Sequence, residues 1–141
     1  DTVLCLFVSS ATNDPVFHAY LEVVQPDGTV RYLTEGIFRA IHRAPADPES
    51  LPYEMGAAPH SFLEADMLPV TPGEMMKVEF ALNPVAARLN PGERLRLAIA
   101  GTDKGYFRRY SDEKPERFTM SFGPDYPSNL SVPMRPWTLS D

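Results

Sequence analysis

Three stretches of the chain alternate apolar and polar residues with a period of two, the signature of a half-buried strand. In Phe17-His18-Ala19-Tyr20-Leu21-Glu22-Val23 the odd positions are apolar, and the opposite face carries His18, Tyr20 and Glu22. In Met76-Lys77-Val78-Glu79-Phe80-Ala81-Leu82 the even positions are apolar, and Lys77 and Glu79 point outward. In Arg94-Leu95-Arg96-Leu97-Ala98-Ile99-Ala100, Leu95, Leu97 and Ile99 share a face opposite the two arginines. A one-residue slip would drive charge into the core, so register is well specified. Val3 to Val8 is apolar on both faces, which predicts a central or doubly covered strand.

Turn residues separate these runs. Pro26-Asp27-Gly28 lies between Val23-Val24 and Val30-Arg31-Tyr32-Leu33 and predicts a hairpin. Glu35-Gly36 reads as a further break, with Ile37 to Ile41 as a separate short strand. Pro72-Gly73 and Pro91-Gly92 each precede an alternating strand, and a last short strand is expected at Leu130 to Met134. Two stretches lack strand periodicity. Ala44 to Ser61 holds four prolines, and Lys104 to Ser128 is rich in charge, aromatics and Pro. Loops this long are uncommon in a compact domain and often carry function. The pattern predicts an all-β sandwich with two long loops.

The chain has 141 residues, enough for one domain, 1–141. Fifteen prolines suit short strands and oppose long helices. The formal net charge of -6 argues against a nucleic-acid partner, which needs clustered Lys and Arg. Arg108-Arg109, near Tyr106, Phe107 and Tyr110, reads as a solvated loop. No apolar run approaches the ~18 residues of a membrane helix, so no membrane partner is expected, and no stretch has the signal-peptide pattern. Cys5, the single cysteine, reads as a small buried side chain. The apolar run begins at the third residue without a lead-in, so a longer parent is expected.

Catalytic chemistry is weakly supported. The Gly-x-Ser-x-Gly elbow is absent. His18, His42 and His60 read as structural or solvent-facing; arginines near His42 disfavour its imidazolium form. No His or Cys spacing suits a metal. Asp112, Glu113 and Glu116 crowd a loop with Asp125 nearby, but Arg108, Arg109, Lys114 and Arg117 surround them, so a mixed solvated face is expected. No catalytic residue, metal ligand or cofactor is assigned. Seven aromatics, Tyr53, Phe62, Tyr106, Phe107, Phe118, Phe122 and Tyr126, lie mostly outside the alternating strands. As a group they are candidates for a domain-docking surface or a substrate wall. Each taken alone could instead pin its own loop.

The order of these pieces resembles a known family. Asn13-Asp14-Pro15-Val16-Phe17, Leu21-Glu22-Val23, Pro26-Asp27-Gly28 and Thr34 to Arg43 form one block. Pro72-Gly73-Glu74, Leu82 to Ala86, Asn90 to Asp103 and Pro127 to Pro133 form a second. Together they resemble the C-terminal domain of the X-Pro dipeptidyl-peptidase and cocaine esterase hydrolases (the CocE/NonD group), over nearly the whole chain. The resemblance implies a jelly-roll, galactose-binding-like β-sandwich. It would follow an α/β-hydrolase domain with a Ser-His-Asp triad, pack on it and help wall its active site. No triad residue maps onto this chain. Two positions depart from the family pattern: Val16 stands where a second Asp is frequent, and Glu93 where His is usual. The family domain begins earlier, so this chain is expected to lack its first strand and to offer an exposed sheet edge for a homo-oligomer. The alternative function is a free-standing carbohydrate-binding module using exposed aromatics such as Tyr106 and Phe107. An enzyme acting through the acidic loop at Asp112 and Asp125 is a third reading, without geometric support.

Overall fold

The computed structural model describes residues 1–107 and 116–137. Among these described residues seven strands run β1 Val3–Ser10, β2 Val16–Val24, β3 Val30–Arg39, β4 Met76–Ala81, β5 Arg94–Ala100, β6 Phe118–Ser121 and β7 Asn129–Ser131. Three single 3-10 turns, at Ala40–His42, Pro48–Ser50 and Glu64–Asp66, are the only helical elements among the described residues. Arg108, Arg109, Tyr110, Asp112, Glu113 and Lys114, weighed above, lie outside those residues.

The strands make two antiparallel sheets, and the fold is an all-β sandwich. In the first, β1 is central: β4 lies on one side, and β6 and β7 share the other. This is the place the doubly apolar run called for, and the first strand of the chain is therefore not a sheet edge. In the second sheet β2 is central, between β3 and β5. The inner faces meet in one core. Leu4, Leu6, Val8, Val78 and Phe80 come from the first sheet and Phe17, Ala19, Leu21 and Phe38 from the second. The alternating residues of β4 and β5 face as the period-two pattern required.

The predicted β2–β3 hairpin is present. Gln25 N donates to Thr29 O at 2.8 Å, Gly28 takes φ +88°, and Thr29 N donates to Asp27 Oδ1 at 2.8 Å. Gly73 and Gly92 have φ of +86° and +87°, so both Pro-Gly pairs are true turns.

Three expectations need correction. Glu35-Gly36 does not break the chain, because β3 runs through it from Val30 to Arg39. Gly36 is there for space: a Cβ would sit 3.0 Å from Ala81 O and 3.1 Å from Leu82 Cα. That close approach lets the chain leave β4 and run onto the edge of β3, where Asn83 N donates to Glu35 O and Thr34 Oγ1 to Asn83 O, both at 2.8 Å. Second, the Ile37 to Ile41 segment is divided, its first half ending β3 and its second half forming a 3-10 turn. Third, the stretch from Lys104 to Ser128 is not all loop: it contains β6.

Candidate functional site

The outer face of the second sheet is built by residues that β2 and β3 place opposite one another. Register pairs Val16 with Arg39 and His18 with Ile37. The Ala40–His42 turn carries His42 to the same end. Phe62 arrives from the loop before the Glu64–Asp66 turn, and Phe107 from the loop after β5. Val16, His18, Ile37, Arg39, His42, Phe62 and Phe107 line a groove of about 370 Å³.

Its geometry is fixed by polar contacts around it. Arg39 donates from Nε and Nη2 to the two carboxylate oxygens of Asp14, at 2.8 and 2.6 Å. Ala40 N donates to Pro15 O at 3.0 Å, so the Asp14-Pro15 corner holds the start of that turn. Tyr20 Oη donates to Asp103 Oδ2 at 2.5 Å and draws the loop after β5 back over β2. Burial, and then that bond to Asp103, push the Tyr20 phenol well above its usual range. Arg43 forks to Leu68 O and Pro69 O, both at 2.8 Å, and anchors the loop beyond Phe62.

The two groove histidines are the chemically distinctive part. His18 is only 3% exposed, with the Phe107 ring 5.2 Å away. Its position on the outer face of β2 is as the alternation predicted, but it does not face solvent, because the loop after β5 covers it. His42 lies 5.4 Å from Phe62. The Nδ1 atoms of both rings are buried and have no hydrogen-bond partner. Burial lowers the His18 pKa below its ordinary value, against the opposing pull of Asp103 and Glu35. Burial also lowers that of His42, and Arg39 adds to it. Desolvation leads in both cases, ahead of the neighbouring charge. Among the described residues the groove is lined by two imidazoles, an arginine, two phenylalanines, a valine and an isoleucine, an apolar wall with a few polar groups set in it.

His60 is buried for a different reason. Its Nδ1 lies 2.9 Å from Ala44 O and its Nε2 2.7 Å from Glu79 O, and its ring is 4.5 Å from that of Phe38. It fastens the first long loop to the edge of β4.

The seven candidate aromatics do not form one surface. Phe62 and Phe107 meet in the groove. Tyr53 lines a separate depression of about 650 Å³, with Leu51, Pro52 and Met67 among its walls. Tyr126 packs on Phe7, 5.7 Å between rings, and Phe122 follows β6, so both belong to the other sheet. Tyr106 is 86% exposed. Phe118 is a correction: it lies within β6, not in a loop, and packs edge-on against Phe17, 5.5 Å away, at the core. Val16, Ile37, Arg39 and His42 were not singled out from sequence as groove residues. The strand pairing was the signal that could have found them, since it sets positions 16 and 18 opposite 39 and 37.

Among the described residues no group of three His, Cys, Asp or Glu could hold a metal ion. No helix among them is long and apolar enough to cross a membrane.

The chain is a member of a non-catalytic class of domain. It belongs to the family described as the X-Pro dipeptidyl-peptidase C-terminal non-catalytic domain, whose model matches residues 2–131. It is also similar to the Mycobacterium bovis protein called "Putative serine esterase Mb1866c", with 42% identity over 105 residues. The Mycobacterium tuberculosis protein called "Putative serine esterase MT1883" is equally similar. The match covers 74% of this chain and 17% of each relative, so the chain spans less than a fifth of the curated relatives it matches.

Proposed function

We propose that this chain serves as the accessory domain of a serine hydrolase of dipeptidyl-peptidase or esterase type. It packs on an α/β-hydrolase catalytic domain of the same parent polypeptide and helps wall the active site, as a jelly roll without chemistry of its own. The observation that carries this reading is the match of the non-catalytic family over residues 2–131. The structure supports it with a groove of mixed apolar and polar lining on one outer sheet face, and the relatives support it with names that describe serine esterases.

The test uses two proteins. The full-length parent is expected to turn over a p-nitrophenyl ester or an X-Pro peptide, with activity lost to a serine-directed inhibitor. The 141-residue chain is expected to show none. Inhibitor-sensitive turnover by the chain alone would overturn the accessory role. A parent without any such activity would overturn the hydrolase assignment.

A further inference from the structure

We propose that the groove between His18, His42, Phe62 and Phe107 is the face on which the catalytic part of the parent polypeptide sits. The proposal rests on the accessory-domain reading above and adds the surface of the contact.

Three observations select this face. First, buried polar atoms are nearly always paired, and leaving one unpaired costs about 1–3 kcal/mol. Here two such atoms, His18 Nδ1 and His42 Nδ1, belong to residues that line one groove, and this chain alone already shuts both atoms from solvent. Second, the rim is apolar. Phe62, Phe107 and Ile37 are 45%, 44% and 37% exposed, and aromatic rims around a desolvated polar centre are what interface cores are made of. Third, the groove is held in shape from outside itself, by Asp14 on Arg39 and by Tyr20 on Asp103. A pre-shaped surface loses little freedom when it is covered.

The occupant follows from the relatives. More than four-fifths of their length lies outside the stretch matched here. A surface joined covalently to that much polypeptide meets it at high effective concentration, ahead of any diffusing partner.

The experiment is side-chain footprinting of the full-length parent with a reactive radical, each residue normalised to its rate in the unfolded protein. Phe62, Phe107 and Tyr126 have nearly equal exposure in this chain, 45%, 44% and 45%. Burial in an interface core is expected to slow Phe62 and Phe107 about tenfold relative to Tyr126. The I37D variant is expected to restore their reactivity. Equal rates for all three in an ester-cleaving parent would overturn the face assignment and leave the accessory role standing. Protection that vanishes on dilution, together with a dimer in sedimentation, would overturn it in favour of a second copy. Protection that persists in I37D would overturn it as well.

Discussion

On the outer face of the β1 sheet, Lys77 and Glu79 pair at 2.8 Å, Phe7 lies under Tyr126, and Phe7 N donates to Ser128 Oγ at 2.8 Å. On the outer face of the β2 sheet, Ile37, Phe62 and Phe107 are half exposed and two imidazole nitrogens have no partner. Both sheets bury equivalent inner faces in one core, so the difference is not a demand of the sandwich. The β1 face completes its polar contacts within the chain. The β2 face brings residues from four segments together and leaves their chemistry unfinished. That difference is what the proposed docking face rests on.

The comparison predicts that damage to the shared core affects both faces, whereas damage outside it affects one. F17A removes a fully buried ring that also touches Phe118, and about 3–5 kcal/mol of stability is expected to be lost. Urea unfolding followed by tryptophan and by far-UV dichroism should then shift to the same lower midpoint. G36A pushes a Cβ against backbone atoms of Ala81 and Leu82, which cannot move aside as a side chain tip would. It is expected to cost about 1–3 kcal/mol and to loosen the crossing between sheets, read by amide exchange at Asn83 and Glu35.

The third prediction concerns pH and belongs to the β2 face. The folded rings of His18 and His42 hold a proton more weakly than the 6.5 of an ordinary histidine. Acid therefore favours the unfolded chain. Their contribution is complete above that value, is lost as pH falls below it, and levels off once the folded rings protonate. Unfolding midpoints between about pH 7 and 5 should decline, and the H18F/H42F double variant should flatten that slope. The smallest effect is expected on the β1 face. Lys77 and Glu79 have side chains 53% and 40% exposed, so K77A should change stability by less than about 0.5 kcal/mol. A larger loss would mean that this face, too, depends on its polar pairs.

Much of the sandwich was legible because period two is a strong signal where one face is dry. β1, β2, β4 and β5 lie where alternation or a continuous apolar run put them. β3 was misread at Gly36, because a glycine that makes room for another backbone looks the same in sequence as one that makes a turn. β6 was missed because Phe118-Thr119-Met120-Ser121 is too short to show periodicity inside a charged, proline-rich stretch. The groove was half legible. Phe62 and Phe107 stood out as loop aromatics, but their convergence depends on where two long loops land, and local pattern does not encode that. The burial of His18 was hidden for the same reason: its cover comes from residue 107.

His60 clamps its loop by backbone oxygens alone, those of Ala44 and Glu79. Side chains at positions 44 and 79 can thus drift through evolution, or be randomised in a library, without releasing the clamp. Position 60 has no such latitude, since a ring with a nitrogen at each end is what spans the gap. Tolerance along this loop should accordingly be uneven, permissive at the two acceptors and narrow at the single residue between them.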